Sequence, residues 1–236
     1  MAEEYSSIMV NDAWEVVSRP QDRLVVGSRW IYKVKYVADG SVEKYKTRFV
    51  AKGYAQKEGI DYKETFAPVA RYTSVRTMIS LVAQMVWEIH QMDVKTTFLN
   101  GVIEEEVYIE QREGFETHEK KYHVCKLKKA LYGLKQAPRA WYGQIDGYLQ
   151  KMGFIKSDAD PILYYLVVEN EPLILVLYVD DLFLTGSSRL IKDCKENLAT
   201  KFNMKIWDRC IISWGWKFGS KRVRSSLHKG DMLQKS

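Results

Sequence analysis

Residues 173–185 carry two apolar runs, Leu173–Val179 and Leu182–Thr185, parted only by Asp180-Asp181. Adjacent carboxylates are poor strand residues. In one continuous strand they would face opposite ways, and one would enter the core. A tight hairpin resolves the conflict, because its turn projects both acids from the end of a sheet. Ile162–Val168, upstream of Glu169-Asn170-Glu171-Pro172, reads as a further strand. The segment therefore predicts consecutive antiparallel strands with two negative charges at one end. Like charges held this close repel, so a cation or water must stabilise them. The same dipeptide also fits a plain exposed turn.

Helical periods surround this segment. Thr73 or Ser74 can cap a helix that buries Val75, Met78, Ile79, Val82 and Met85. Trp87–Val94 follows as a strand that delivers Asp93. Pro138 suits the first turn of a second helix, with Trp141, Ile145, Tyr148, Leu149 and Met152 on its apolar side and Gly153 at its end. A third helix carries Ile191, Cys194 and Leu198. The order is β-β-α-β, a long insertion, then α-β-β-β-α. It predicts an α+β chain built on antiparallel hairpins.

Trp30–Val37 and Val42–Val50 form another hairpin signal, joined through Asp39-Gly40. Lys44, Lys46, Arg48 and Lys52 share one parity, so one ribbon face carries four cations. That row is either a solvated outer face or a cradle for phosphates. Asp93 lies 87 residues before Asp180. If their strands are neighbours, three carboxylates converge, and an oxygen-only cluster suits Mg²⁺. Two such ions could clamp the attacking and leaving oxygens of a phosphoryl transfer. Sequence physics alone does not settle whether the strands are neighbours.

Four ordered boxes add a resemblance. They are Lys46–Gln56, Gln91–Gly101, Leu131–Tyr142 and Tyr178-Val179-Asp180-Asp181. Together they closely resemble the reverse transcriptase domain of copia-type long-terminal-repeat retrotransposon Pol polyproteins, from about Trp14 to Met204. The resemblance implies a right-hand polymerase fold with the thumb absent. Its fingers would span about 14–68 and 101–138, and its palm about 69–100 and 139–204. It implies an RNA-directed DNA polymerase, a nucleotidyltransferase that joins deoxynucleoside triphosphates to a primer on an RNA or DNA template. Asp93, Asp180 and Asp181 match the catalytic carboxylates that hold two Mg²⁺ ions, with Mn²⁺ as a substitute. Phe98 matches the side chain under the incoming sugar. Gln136 matches a residue near nucleotide and template, and Lys46 and Arg48 fall in the segment that meets the triphosphate. The implied partners also include the rest of the polyprotein, with its RNase H and integrase. The implied location is cytoplasmic, in a virus-like particle, or nuclear. The alternatives are a truncated, catalytically weak or silent remnant that at most binds nucleic acid, and an unstable relic with no molecular role.

Composition bounds the remainder. With 46% apolar and 28% charged residues, the 236-residue chain can bury a core and is not wholly disordered. The apolar run at 173–179 is far shorter than the ~20 residues of a membrane span, so no membrane partner is expected. Three cysteines and four histidines are too scattered for a disulfide framework or a zinc site. Cys125 reads as a small buried hydrophobe, His90 as a scaffold residue, and Glu104-Glu105-Glu106 as a solvated face. Residues 1–13 read as a loose N-terminus. The net charge of +6 resides wholly in residues 205–236, which hold eight Lys/Arg and two acids. That stretch departs from the family pattern and reads as a basic, disordered tail, the product of a reading-frame change or of a decayed gene copy.

Overall fold

The computed structural model describes residues 2–37, 39–69, 71–112, 114–116 and 121–207. In chain order the elements are α1 (Ala2–Val10), β1 (Trp14–Ser18), β2 (Val25–Val26), β3 (Ser28–Tyr36), β4 (Val42–Ala51), α2 (Tyr72–Met85), β5 (His90–Val94), β6 (Tyr108–Ile109) and β7 (His123–Leu127). There follow α3 (Ala137–Lys151), β8 (Ile155–Lys156), β9 (Leu163–Val168), β10 (Glu171–Tyr178), β11 (Asp181–Gly186), α4 (Ser188–Phe202) and β12 (Met204–Trp207). Single 3-10 turns lie at Gly53–Ala55 and Thr97–Asn100.

A six-stranded sheet of order β12-β5-β11-β10-β9-β8 organises the C-terminal half, and all its pairings are antiparallel. Side chains alternate across a strand. Met92, Val94, Leu182, Leu184 and Met204 therefore enter one core, while Gln91, Asp93, Asp181 and Lys205 take the other face. The core is completed by Val75 and Met78 of α2, Trp141, Ile145 and Leu149 of α3, and Ile191, Cys194 and Leu198 of α4. These are the apolar positions the helical periods predict. Met85 is the exception, exposed at the last turn of α2.

A second core gathers Ile8, Val26, Phe49, Ile109, Cys125 and Leu131 beneath a four-stranded sheet of order β1-β7-β6-β2. The β3–β4 hairpin stands apart as a two-stranded sheet. Its root is locked to the loop after Leu131. The Ala51 N–H donates to the Tyr132 carbonyl at 2.8 Å, and a Cβ at Gly53 would overlap the Gly133 carbonyl oxygen. Gly133 has φ +91°, where side chains are strained, and its own Cβ would strike the Ala51 carbonyl.

Two expectations are corrected. Residues 2–10 are helical rather than loose, because Ile8 is 1% exposed in the second core and Tyr5 stacks on Phe115 with ring centroids 4.3 Å apart. The boundary at 205 falls inside β12, where Lys205 pairs with Asp93 and Ile206 with Met92. The rest of the expected tail, 208–236, lies outside the described residues.

Candidate active site

The hairpin forms as expected, but its turn lies one residue earlier, so Asp180 is in the turn and Asp181 is already a paired strand residue. Tyr178 pairs with Asp181, leaving Val179-Asp180 as a two-residue turn. Val179 adopts φ +54°, a left-handed conformation that is an outlier for a β-branched residue. Two hydrogen bonds hold it there. Trp141 Nε1 donates to the Val179 carbonyl at 2.7 Å, and the Val94 N–H donates to the Asp180 carbonyl at 2.9 Å. Surroundings that over-determine a strained turn are what allow it to persist.

Strand β5 is inserted between β11 and β12, so Asp93 lies directly across from Asp181 on one side and Lys205 on the other. Burial raises the Asp93 carboxyl, and the Asp180 charge adds to this, against Lys46, Lys205 and Lys35. Burial pushes Asp181 up to about 6; a 2.9 Å hydrogen bond from Gln91 Nε2 works against that, and Asp180 and Asp93 add to it. The sequence left the neighbourhood of these strands open, and the register closes it.

The hairpin β3–β4 brings cations to the same place. Lys33 pairs with Lys46, Lys35 with Lys44, and Ile31 with Arg48. Burial lowers the Lys46 ammonium, as do Arg48 and Lys35, while Asp93 and Asp180 draw it back up. Lys46 thus feels both acids, whereas Lys44 in the same row is exposed. Lys52 leaves that row: β4 ends at Ala51, and the Lys52 stem lies against Gly27.

An aromatic wall joins the two groups. The Arg48 guanidinium lies 4.4 Å from the centroid of Tyr132, whose far contact is the Phe98 ring, edge-on at 4.7 Å. Phe98 occupies the 3-10 turn after Asp93 and packs against both cores. Gln136 is internal. It is 2% exposed, its amide nitrogen donates to the Asp61 carbonyl, and its oxygen accepts from Gln56, each at 3.0 Å. Tyr132 is the residue that touches both Arg48 and Phe98. Tyr132 lies in the same box as Gln136, but an irregular turn has no period to show which position faces the site.

Among the described residues, no three His, Cys, Asp or Glu side chains stand together as a ready ligand set. The donor chemistry nonetheless fits a hard divalent cation. Asp93 and Asp180 are oxygen donors whose charges repel at one sheet end, with the Lys46 ammonium drawn towards both. Elsewhere, Glu106 pairs with Lys126 at 2.8 Å beside a groove of about 580 Å³. Cys125 is buried, its thiol pushed up to about 12. Among the described residues, no helix is long and apolar enough to cross a membrane.

Comparison with known proteins agrees with this geometry. The family described as reverse transcriptase (RNA-dependent DNA polymerase) matches residues 11–219, running past Met204. The chain is 44% identical over 229 residues to the retrovirus-related Pol polyprotein from transposon TNT 1-94 of Nicotiana tabacum, covering 96% of this chain and 17% of that protein. It is 40% identical over 230 residues to the corresponding polyprotein from transposon RE1 of Arabidopsis thaliana, covering 97% and 16%. The Ty1-H Gag-Pol polyprotein of Saccharomyces cerevisiae is 28% identical over 214 residues, covering 84% and 11%. The chain spans about a sixth of the length of the two plant relatives. With ordered motif boxes, paired acids at one sheet end and a match over most of its length, the chain belongs to the reverse transcriptase (RNA-dependent DNA polymerase) family.

Proposed function

We propose that this chain performs template-directed nucleotidyl transfer, as part of a copia-type Pol polyprotein. The observation that carries the reading is Asp93 lying across from Asp181, with the Val94 N–H on the Asp180 carbonyl and Lys46 near enough to feel both Asp93 and Asp180. The six-stranded sheet with α2, α3 and α4 serves as the palm, and the β3–β4 hairpin belongs to the fingers. A primer 3′ hydroxyl attacks the α-phosphate of a deoxynucleoside triphosphate. The O3′–Pα bond forms, the bond from Pα to the oxygen bridging it to the β-phosphate breaks, the hydroxyl proton passes to solvent, and pyrophosphate leaves.

Asp93 and Asp180 would hold divalent cations, Mg²⁺ or in its place Mn²⁺, which supply charge stabilisation at the reacting oxygens. Asp181 supports them, kept in place by Gln91. Lys46 and Arg48 face the triphosphate, where charge-assisted hydrogen bonds to phosphate oxygens are strong. Phe98 and Tyr132 form the wall against which the sugar rests, and the Phe98 ring excludes a 2′ hydroxyl. RNA or DNA serves as template.

Primer extension on poly(rA)·oligo(dT) with dTTP and Mg²⁺ tests the reading. Converting Asp93 or Asp180 to Asn is expected to cut the rate by ~10³-fold or more, as when preorganised charge at a reacting centre is lost. An Asp180→Asn chain as active as wild type would defeat the assignment.

A further inference from the structure

Glu4 lies in a segment with no expected chemistry, yet it reaches the strand that carries Arg48. Helix α1 is seated by Ile8 and by the Tyr5–Phe115 stack. From there the Glu4 carboxylate meets the outer edge of β4, the edge that β3 leaves uncovered. Alternate N–H groups point outward along such an edge. Two of them are taken: Phe49 N–H donates to Glu4 Oε1 at 3.5 Å, and Ala51 N–H donates to the Tyr132 carbonyl at 2.8 Å. Arg48 immediately precedes the first of these, with its guanidinium on the Tyr132 ring. Burial raises the Glu4 carboxyl, while the Phe49 N–H, Arg48 and Lys46 draw it down. Arg48 and Lys35 in turn depress the Lys46 ammonium, so three cations crowd one ribbon face.

We propose that Glu4 is a positioning residue that holds Arg48 over the nucleotide site. It does so by accepting the Phe49 N–H at the edge of β4 and by offsetting the repulsion between Arg48 and Lys46. The inference rests on the reading of Arg48 and Lys46 as the cations that meet the triphosphate. Plain charge counting gives the opposite sign. Removing a carboxylate near a triphosphate site raises the local positive potential and should tighten binding. The direction of the change therefore decides between positioning and competition.

The test uses the full chain with poly(rA)·oligo(dT). It measures kcat and KM for dTTP by primer extension, and dTTP affinity for the primer–template complex by calorimetry. Glu4→Gln keeps an acceptor for the Phe49 N–H and removes the charge; Glu4→Ala removes both. Both are expected to raise KM and Kd for dTTP, by roughly 3–10-fold for Gln and more for Ala, the scale of one weakened contact. Turnover should stay within about twofold, since no group at the reacting atoms changes. In an Arg48→Ala background, Glu4→Gln should change dTTP binding no further, because coupled residues are non-additive. Unchanged or tighter dTTP binding in Glu4→Gln overturns the proposal, as does an equal effect with Arg48 removed. Should Glu4→Ala fail to fold, the Gln variant decides. If Arg48→Ala itself leaves dTTP binding unchanged, the cation reading fails and takes this inference with it. If Arg48→Ala weakens binding and Glu4→Gln does not, only the role of Glu4 fails.

Discussion

The six-stranded sheet and the β3–β4 hairpin present opposite charges to one place, but they hold them differently. Asp93 and Asp181 are fixed by neighbours on both sides: β5 lies between β11 and β12, and β11 lies between β5 and β10. The cations ride on a two-stranded ribbon that is pinned at its root by Gly53, Gly133 and Glu4. A two-stranded hairpin is marginal by itself, whereas a multi-stranded sheet packed on helices is independently stable. The acids should therefore fail only when the core fails, and the cations should fail when a single latch is removed.

The largest effect should come from the sheet. Leu182 is 0% exposed, across from Met92 and Leu177. Leu182→Ala should cost roughly 3–5 kcal/mol. The Tm should fall by roughly 10 °C, with substrate binding and turnover lost in the same transition. A fall of a degree or two would mean the acids do not depend on this core.

Breaking the latch should look different. At Gly133 an added Cβ meets the Ala51 carbonyl and the Val50 side chain at φ +91°. Gly133→Ala should cost roughly 2–3 kcal/mol, the range for a side chain forced into an incompatible backbone. Because the strain falls where β4 meets Tyr132, KM for dTTP should rise roughly tenfold, as with loss of one charged contact. Hydrogen-exchange protection in β10 should stay as in wild type. Equal loss of protection in both regions would show that the ribbon and the sheet are not separable.

Trp141→Phe sharpens the comparison within the sheet itself. The ring packs edge-on against Phe202 at 5.3 Å, and a Phe keeps most of that contact. The lost donor is the one that holds the Val179 carbonyl. Val179 is 52% exposed, so water can replace the bond, and the stability cost should be about 1 kcal/mol. The turn is strained, so turnover should suffer more than dTTP affinity. A kcat equal to wild type would show that β5 alone, through the Val94–Asp180 bond, is enough to set the turn.

What the sequence made legible follows the same division. The acid hairpin could be read because apolar runs on both sides left Asp180-Asp181 no other place. The helix periods of α2, α3 and α4 could be read because each buries a stripe. The pairing of Asp93 with Asp181 could not, because strand order across some 90 residues leaves no local mark. Helix α1 was missed because its burial rests on Ile8 alone, with the Tyr5 stack supplied by a distant Phe115. Lys52 was placed by parity past the point where β4 ends. Gln136 was placed by likeness, whereas its burial depends on Gln56 and Asp61, some 75–80 residues away.

The last effect concerns the charge that the sheet holds at a cost, and it shows only as a function of pH. Burial and neighbouring acids lift the folded Asp181 carboxyl from 3.8 to about 6. An unfolded chain loses this proton first, so between about pH 4 and 6 the folded state binds more protons than the unfolded one. Stability from this group is thus present below pH 4 and declines as pH rises through 6. Beyond that a constant penalty remains, at most about 3 kcal/mol for a shift of about two pKa units. Solvent access to this half-buried group should reduce it to about 1–2 kcal/mol. Asp181→Asn removes the titrating charge and keeps an oxygen for Gln91 to donate to. In EDTA, wild type and Asp181→Asn should unfold at similar temperatures at pH 4. The variant should gain progressively up to about pH 6.5 and stay ahead by a few degrees at pH 8, the size expected for 1–2 kcal/mol. Asp93 is half-buried in the same sheet in both chains, so the difference between the two curves reports the Asp181 charge together with its repulsion by the neighbouring acids. Parallel curves from pH 4 to 8, or a variant less stable at pH 8, would mean that Asp181 bears no unfavourable charge in this sheet.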